Sequence, residues 1–212
     1  MNSKSRTRLT IALAGSAVDP FHLGHLALLA ALMSMDFDII YWVVSGARKG
    51  KIPRVGPDDR VTMTLLAIPK KWLLSLCPRL KIVFIDAYGR NTPTITWLRR
   101  LHRWYPAAEV TLVTGADSVC GGPDDLKYWD AGAQIYEKWK VLVFPRVHFA
   151  GVRKLRKILK NRPNFSVVDT VLPDVASREI CTRIGLGKKR WTHLVPRPVA
   201  LFIKRNHLYG NR

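Results

Sequence analysis

Residues 15–25 read GSAVDPFHLGH, and the sequence on either side of this stretch decides the fold class. The apolar run at 9–14 before it predicts a buried strand, and the apolar stretch at 24–35 after it predicts a buried helix. Gly15 stands where the strand ends, and a glycine there lets a ligand approach the backbone closely. The stretch is therefore a candidate binding loop between a strand and a helix.

Two histidines, His22 and His25, stand three residues apart at the predicted helix N-terminus, with Gly24 between them. Imidazole N–H groups in that position can meet an anion that also contacts the unpaired amides of the helix. The stretch lacks the Lys-Ser/Thr pair of a P-loop and has no third ligand at zinc spacing. The pattern therefore favours an anion site. Asp19, which precedes Pro20, predicts an Asx turn or cap.

Outward from this stretch, short apolar runs alternate with helical stretches. The pattern predicts further strands at 39–44, 81–85, 109–113, 141–144 and 166–169, and further helices at 57–68, 93–104, 127–138, 150–161, 175–184 and 198–208. This alternation predicts an α/β fold: a doubly wound, Rossmann-like parallel sheet with helices on both faces. Ligands in such sheets bind beyond the carboxyl ends of the strands. We therefore expect the chemistry in the loops after strands one, two and four.

Composition supports a globular protein of this kind. The chain has 212 residues, of which 48% are hydrophobic and 24% charged. We expect a basic tail at 1–8 and a single domain at 9–212, whose C-terminal helical portion begins at about residue 175. No apolar run reaches the roughly 18–20 residues of a membrane span, so we expect no membrane partner. Three cysteines without close spacing predict no disulfide framework and a cytoplasmic setting.

The net charge of +20 is the unusual feature of the composition. Residues 1–106 carry 16 basic and 6 acidic side chains, and residues 107–212 carry 19 and 9, so the excess is spread over both halves. A field of this sign favours anionic partners, either phosphorylated small molecules or nucleic acid. Nucleic acid is supported by the basic residues within 153–160 and 188–190, but the chain contains no nucleic-acid-recognition motif. Nucleic acid is therefore possible and not favoured.

The stretch at 15–25 resembles the GxFDPxHxGH signature of the nucleotidyltransferase superfamily with the HxGH motif. Over about residues 9–210 the chain is similar to one branch, the bacterial-type nicotinate or nicotinamide mononucleotide adenylyltransferases. Trp129 falls where that branch carries a tryptophan that stacks on the pyridine ring. The other segments that carry the likeness are DDRVTMTLLAI with Arg60, TITWL from Thr94, TGADSV with Gly115 and Asp117, VLVFPR ending at Arg146, and VPRPVALFIKRNHLYG.

The resemblance implies a reaction of NAD biosynthesis. A phosphate oxygen of the mononucleotide attacks the α-phosphorus of ATP, and pyrophosphate leaves without a covalent enzyme intermediate. His22 and His25 would be the catalytic residues, bonding the phosphates and stabilising the transition state. Mg²⁺ would be carried by ATP and would need few protein ligands, so no metal site is assigned to the chain.

The resemblance also implies two sets of binding residues. Contacts with ATP or its phosphates would come from Gly15, Ser16, Ala17, Gly24, Lys49, Lys51, Gly115, Asp117, Ser177 and Arg178, with Asp117 accepting from the adenosine ribose. Contacts with the mononucleotide would come from Val18, Arg60, Thr94, Trp129 and Arg146.

The second motif of the branch, Ile-Ser-Ser-Thr-x-Ile-Arg, is altered at residues 175–181. Ser177 is kept, Arg178 stands at the threonine position, and Cys181 stands where the branch usually carries arginine. Positions three apart share a helix face, so we expect Arg178 to supply the guanidinium. Two alternatives stay open: a nucleotidyltransferase of the same fold with another phosphorylated acceptor, or a weakly active or inactive member that binds nucleic acid through its basic surface.

Overall fold

The computed structural model describes residues 8–47, 52–70, 79–89, 91–146 and 150–210. These residues form a six-stranded sheet in the order β3-β2-β1-β4-β5-β6. The pairs β1–β4, β4–β5 and β5–β6 are parallel. This strand order is that of the doubly wound Rossmann fold, so the predicted fold class is confirmed. The strands are β1 (Thr10–Ser16), β2 (Ile39–Val44), β3 (Leu80–Val83), β4 (Glu109–Gly115), β5 (Lys140–Phe144) and β6 (Phe165–Val167).

Helices follow the strands in the alternation that the sequence predicts. The described α-helices are α1 (Leu23–Ser34), α2 (Pro57–Ala67), α3 (Thr94–Trp104), α4 (Gly132–Lys138), α5 (Val152–Ile158), α6 (Ser177–Gly185) and α7 (Arg197–Arg205). Short 3₁₀ helices lie at Ile85–Tyr88, Ala116–Ser118, Leu126–Tyr128 and Thr192–Leu194. None of the helices among the described residues is long and apolar enough to cross a membrane.

The predicted helix at 127–138 is wrong in its first half. A 3₁₀ helix ends at Tyr128, and α4 begins only at Gly132. Ala131, between them, has a φ of 52°, a left-handed conformation that breaks the helix. A Cβ atom at Gly132 would collide with the carbonyl oxygen of Leu126, so the backbone passes too closely for any other residue. The predicted helix at 150–161 is also shorter, since α5 ends at Ile158.

The first of two compact units contains the described residues up to Ala14, together with Leu32–Tyr41 and Pro93–Val171. Its core is built from apolar side chains of its strands and of α5, with Ile11 and Leu155 fully buried. Continuous apolar strands of this kind are typical of parallel sheets that are covered on both faces. Arg8, the last residue of the predicted tail, donates to the carbonyl oxygen of Ala107 over 2.9 Å, and residues 1–7 lie outside the described residues.

The second unit contains the described residues of Gly15–Ala31, Trp42–Thr92 and Leu172–Arg212. It therefore includes both the histidine stretch and the helical portion expected from about residue 175. Helix α2 packs against α7, and the unit buries large side chains such as Phe21, Trp42 and Met63 completely. The single domain expected at 9–212 stays a prediction.

Candidate active site

The loop that follows β1 is built on a close backbone approach. A Cβ atom at Gly15 would lie 2.7 Å from the carbonyl oxygen of Val43, so only glycine fits beside β2. The main-chain N–H of Ser45 donates to the carbonyl oxygen of Ser16 over 2.9 Å and joins the ends of the two strands. Val18 has a φ of 47° and is fully buried, so its predicted contact with the mononucleotide stays a prediction. Ala17 is half-buried in the same turn.

His22 is buried, and its ring is held by the first amides of α1. Its Nδ1 accepts from the main-chain N–H of Gly24 over 3.1 Å and from that of His25 over 3.4 Å. A ring nitrogen that accepts N–H groups carries no proton, so the neutral imidazole carries its proton on Nε2. A Cβ atom at Gly24 would come within 3.0 Å of the His22 ring, so glycine leaves the ring its space. The geometry therefore presents His22 as an Nε2–H donor.

His25 reaches the same tautomer by other bonds. Its Nδ1 accepts from the main-chain N–H of His22 over 3.3 Å, and its Nε2 lies 2.9 Å from the Ser16 hydroxyl oxygen. Since Nδ1 accepts, Nε2–H donates to that hydroxyl. The two imidazoles stack with centroids 3.7 Å apart and planes at 18°. Phe21 and Trp42 pack edge-on to His25 at 5.3 and 6.0 Å, so the pair is fixed from several sides.

The carboxylate of Asp19 joins distant segments of the second unit. Its Oδ2 accepts from the main-chain N–H of Arg54 over 2.6 Å, and its Oδ1 accepts from the hydroxyl of Tyr209 over 2.8 Å. The predicted Asx turn or cap at Asp19 is therefore wrong, because the carboxylate bonds residues far along the chain. Burial, with the negative charge of Asp19, raises the pKa of the Tyr209 hydroxyl, so this donor stays neutral.

Helix α6 contacts the same loop through two of the residues that the sequence singles out. The Ser177 hydroxyl donates to the carbonyl oxygen of Pro20 over 3.1 Å, and Cys181 Sγ lies 3.6 Å from that of Asp19. Burial raises the pKa of the Cys181 thiol to about 12, so the sulfur carries its proton. Arg178, in the first turn of the helix, is exposed. Its predicted phosphate contact stays a prediction.

Arg60 is buried, and its guanidinium donates hydrogen bonds to carbonyl oxygens in loops of the protein itself. Nη1 donates to the carbonyl oxygens of Ala17 over 3.0 Å and Ser45 over 2.5 Å, and Nη2 donates to that of Ala87 over 2.9 Å. Burial lowers the pKa of Arg60, and electrostatic interactions with Asp19 and Tyr209 act in the opposite direction. Both terminal nitrogens are thus occupied, and Arg60 holds the loop after β1 to the loop after β2. Direct contact with a mononucleotide stays a prediction.

The other predicted site residues within the described ranges lie in the first unit. Asp117 follows β4 in the 3₁₀ helix Ala116–Ser118, and its Oδ1 lies 3.9 Å from Nε of Arg146. A Cβ atom at Gly115 would meet that same Oδ1 at 2.5 Å, so glycine leaves room for the carboxylate. This unit therefore pairs an acceptor and a cation just after β4 and β5.

Thr94 is the first residue of α3 and is half-buried. Trp129 is also half-buried, and its indole N–H donates to the carbonyl oxygen of Asp124 over 2.9 Å. Lys49 and Lys51 lie outside the described residues. Within the described ranges, no three His, Cys, Asp or Glu side chains are grouped so that they could hold a metal ion.

Comparison with known proteins decides the family. No protein-family model matches the sequence. A "Probable nicotinate-nucleotide adenylyltransferase" of Frankia alni is 30% identical over 216 residues, which cover 93% of this chain and 99% of that protein. The chain belongs to the nicotinate-nucleotide adenylyltransferase family. A second family member, from Thermus thermophilus, is 30% identical over 210 residues. The alignment covers 95% of this chain and 100% of that protein.

Solved structures agree with this family in fold. The nicotinic acid mononucleotide adenylyltransferase of Plasmodium falciparum, complexed with NaAD, aligns with a TM-score of 0.78 at 18% identity over 95% of this chain and 98% of that one. The same enzyme complexed with APC aligns with a TM-score of 0.74. At this identity the likeness supports the fold alone. The family resemblance drawn from residues 15–25 and the expectation of a nucleotidyltransferase are confirmed by the relatives.

Proposed function

We propose that this chain transfers the AMP part of MgATP to nicotinate mononucleotide and releases pyrophosphate, as a step of NAD biosynthesis. The observation that carries the proposal is the pair of imidazoles at His22 and His25, each fixed as an Nε2–H donor on one loop. Membership of the nicotinate-nucleotide adenylyltransferase family supports the choice of acceptor. Nicotinamide mononucleotide is the second acceptor to test.

The proposed step is a direct displacement at phosphorus. A phosphate oxygen of the mononucleotide forms a bond to the α-phosphorus of ATP, and the bond from that phosphorus to the bridging oxygen breaks. The electron pair leaves with pyrophosphate, and Mg²⁺ enters with ATP as part of the substrate. His22 and His25 donate to phosphate oxygens as negative charge shifts among them. Because the loop sets both tautomers, no ring proton has to change position during the reaction, and the Nε2–H of His25 exchanges the Ser16 hydroxyl for a phosphate oxygen.

Other residues of the second unit would bind the polyphosphate. We assign contacts to the amides around Ser16 and Ala17 and to the backbone at Gly15, where no side chain blocks the approach. The N-terminus of α6 would bind phosphate through its unpaired amides, with the exposed guanidinium of Arg178 beside them. In this assignment Ser177 acts on the loop, because its hydroxyl donates to Pro20. Lys49 and Lys51 remain proposed phosphate contacts.

Four residues that the sequence singles out would recognise the two nucleosides. Asp117 would accept from the ribose hydroxyls of ATP, and its 3.9 Å separation from Arg146 leaves room for that bond to form. Thr94 and Trp129 would contact the mononucleotide, with the indole ring stacking on the pyridine. Arg146 would face the same nucleotide as a cation. These roles are proposals supported by the resemblance and by the partial exposure of each side chain.

The experiment measures pyrophosphate release from MgATP with nicotinate mononucleotide and nicotinamide mononucleotide supplied in separate reactions. Chromatography identifies the dinucleotide product, and a reaction without mononucleotide reports ATP hydrolysis alone. We expect release and dinucleotide formation with nicotinate mononucleotide, and slower reaction with the amide. Absence of pyrophosphate release with both acceptors, in protein shown to bind MgATP, would overturn the proposal. Release that needs no mononucleotide would identify a hydrolase.

A further inference from the structure

The dipeptide Asp19-Pro20 lies directly before Phe21-His22, and groups from three other segments hold it. Tyr209 and Arg54 bond the Asp19 carboxylate, as described above. Helix α6 bonds the main chain, through Ser177 to the carbonyl of Pro20 and through Cys181 to that of Asp19. All of these groups lie in the second unit. Any movement of the dipeptide would therefore move the backbone that carries both histidines.

The Tyr209 contact is specific in its chemistry. The hydroxyl donates to a carboxylate over 2.8 Å, a charge-assisted bond that is shorter and stronger than one between neutral groups. The same oxygen lies 4.0 Å from Met63 Sδ on α2, so the ring is seated against the helix that carries Arg60. Tyr209 has a φ of 65°, and a non-glycine residue persists in this left-handed region only where tertiary contacts fix it. The contact with Asp19 therefore holds the segment after α7 in place.

The bonds to Asp19 also define what its carboxylate does. One oxygen accepts from Arg54 and the other from Tyr209, so each bond directs the carboxylate towards the protein's own segments. A catalytic role at the phosphates would require these bonds to break. A role in fixing the loop uses them as they stand.

We propose that Asp19 and Tyr209 are positioning residues for adenylyl transfer: their hydrogen bond fixes the backbone before His22, so the segment after α7 sets the geometry of both histidine donors. The proposal rests on the proposed function. Loss of the hydroxyl frees one carboxylate oxygen, and the dipeptide relaxes by a fraction of an ångström. Rates fall by up to about 10²-fold when reacting groups are misplaced by 1 Å, so an effect of about 10-fold is expected.

The kinetic test compares Tyr209→Phe with Tyr88→Phe in the full-length protein. Tyr88 is the matched control, because its hydroxyl also donates to a carboxylate over 2.8 Å, that of Asp58 on the exposed surface of the same unit. We expect Tyr209→Phe to lower kcat roughly 10-fold with both KM values within about two-fold of wild type, and Tyr88→Phe to change neither. A kcat equal to wild type in folded Tyr209→Phe would overturn the proposal.

A double-variant cycle tests whether the two groups act as one. Asp19→Ala removes both carboxylate bonds, so adding Tyr209→Phe to it should lower kcat no further. Rate losses that multiply in the double variant would show that the two residues act independently and would contradict the proposal. Asp19→Asn is the conservative variant. Its amide can accept from Arg54 and donate to the Tyr209 oxygen, so we expect it to restore part of the rate.

A measurement that does not need turnover separates this proposal from the proposed function. In protein with ¹⁵N-labelled histidine, NMR shifts report which ring nitrogen carries the proton. We expect the His22 and His25 signals to show Nε2–H in the wild type, to change in Tyr209→Phe and to stay unchanged in Tyr88→Phe. Histidine signals in Tyr209→Phe that match the wild type overturn the positioning role. If adenylyl transfer is not observed in the wild type, the proposed function fails while this comparison still decides the positioning.

Discussion

Replacing Arg60 with methionine removes the guanidinium and keeps most of the volume of its aliphatic stem. Arg60 is only 2% exposed, and its three bonds reach the carbonyl oxygens of Ala17, Ser45 and Ala87. The two Nη1 bonds are partly accessible to water, so we take the lower part of the usual range and assign roughly 1–2 kcal/mol to each lost bond. The total loss is then about 3–6 kcal/mol, a large share of a stability of roughly 5–15 kcal/mol.

The assay is thermal unfolding, with steady-state kinetics on the same samples. For a chain of this length, 1 kcal/mol corresponds to roughly 2–4 °C, so the Tm of Arg60→Met should fall by about 6–24 °C. Arg178→Met is the control, because that guanidinium is exposed, and its Tm should be unchanged. If Arg60→Met melts with the wild type and instead raises the KM of the mononucleotide alone, Arg60 acts on substrate and the structural reasoning is refuted.

Three further predictions concern the loop after β1 and helix α6. Arg178→Ala should raise the KM of MgATP more than Cys181→Ala, because Arg178 is exposed and Cys181 is buried; the reverse order would misplace the phosphate contact. Gly15→Ala should lower the Tm and the turnover, because the new Cβ would stand 2.7 Å from the Val43 carbonyl oxygen; an unchanged melting curve would contradict this. Cys181 should resist iodoacetamide at about pH 8 in the folded protein and react after unfolding, because the thiolate is the nucleophile and burial raises its pKa to about 12; mass spectrometry of the peptide decides it.

The local sequence pattern was sufficient to predict the strands and the loop that carries the two histidines. The β2 stretch Ile39–Val44 lies where its run of apolar residues predicts it, and α1 begins one residue before the predicted start. His22 and His25 were identifiable because they stand on one short loop whose chemistry depends on neighbouring residues. Their tautomers could not be predicted from the sequence, because they depend on main-chain N–H groups whose directions only the folded loop defines.

Contacts between residues far apart along the chain could not be predicted from the sequence. Asp19 bonds residues 35 and 190 positions away, and no periodicity signals either partner. Arg60 carried a motif resemblance that suggested a ligand contact, whereas its burial against three carbonyls appears only after the loops are placed. The segment VPRPVALFIKRNHLYG, which contains Tyr209, carries a family likeness, and its pattern indicates no role for the Tyr209 hydroxyl. Burial and long-range bonding, rather than residue type, distinguish a supporting side chain from a ligand.

Turnover of His22→Ala and His25→Ala, measured as pyrophosphate release with MgATP and nicotinate mononucleotide, tests the central claim most directly. The exposed His193 provides the control, as His193→Ala, and thermal unfolding confirms that each variant is folded. Removing one preorganised donor to a transition state commonly costs about 10²–10³ in kcat, so each variant should lose at least about 100-fold while the control keeps wild-type turnover. A folded double variant, His22→Ala with His25→Ala, that turns over like the wild type would contradict the account.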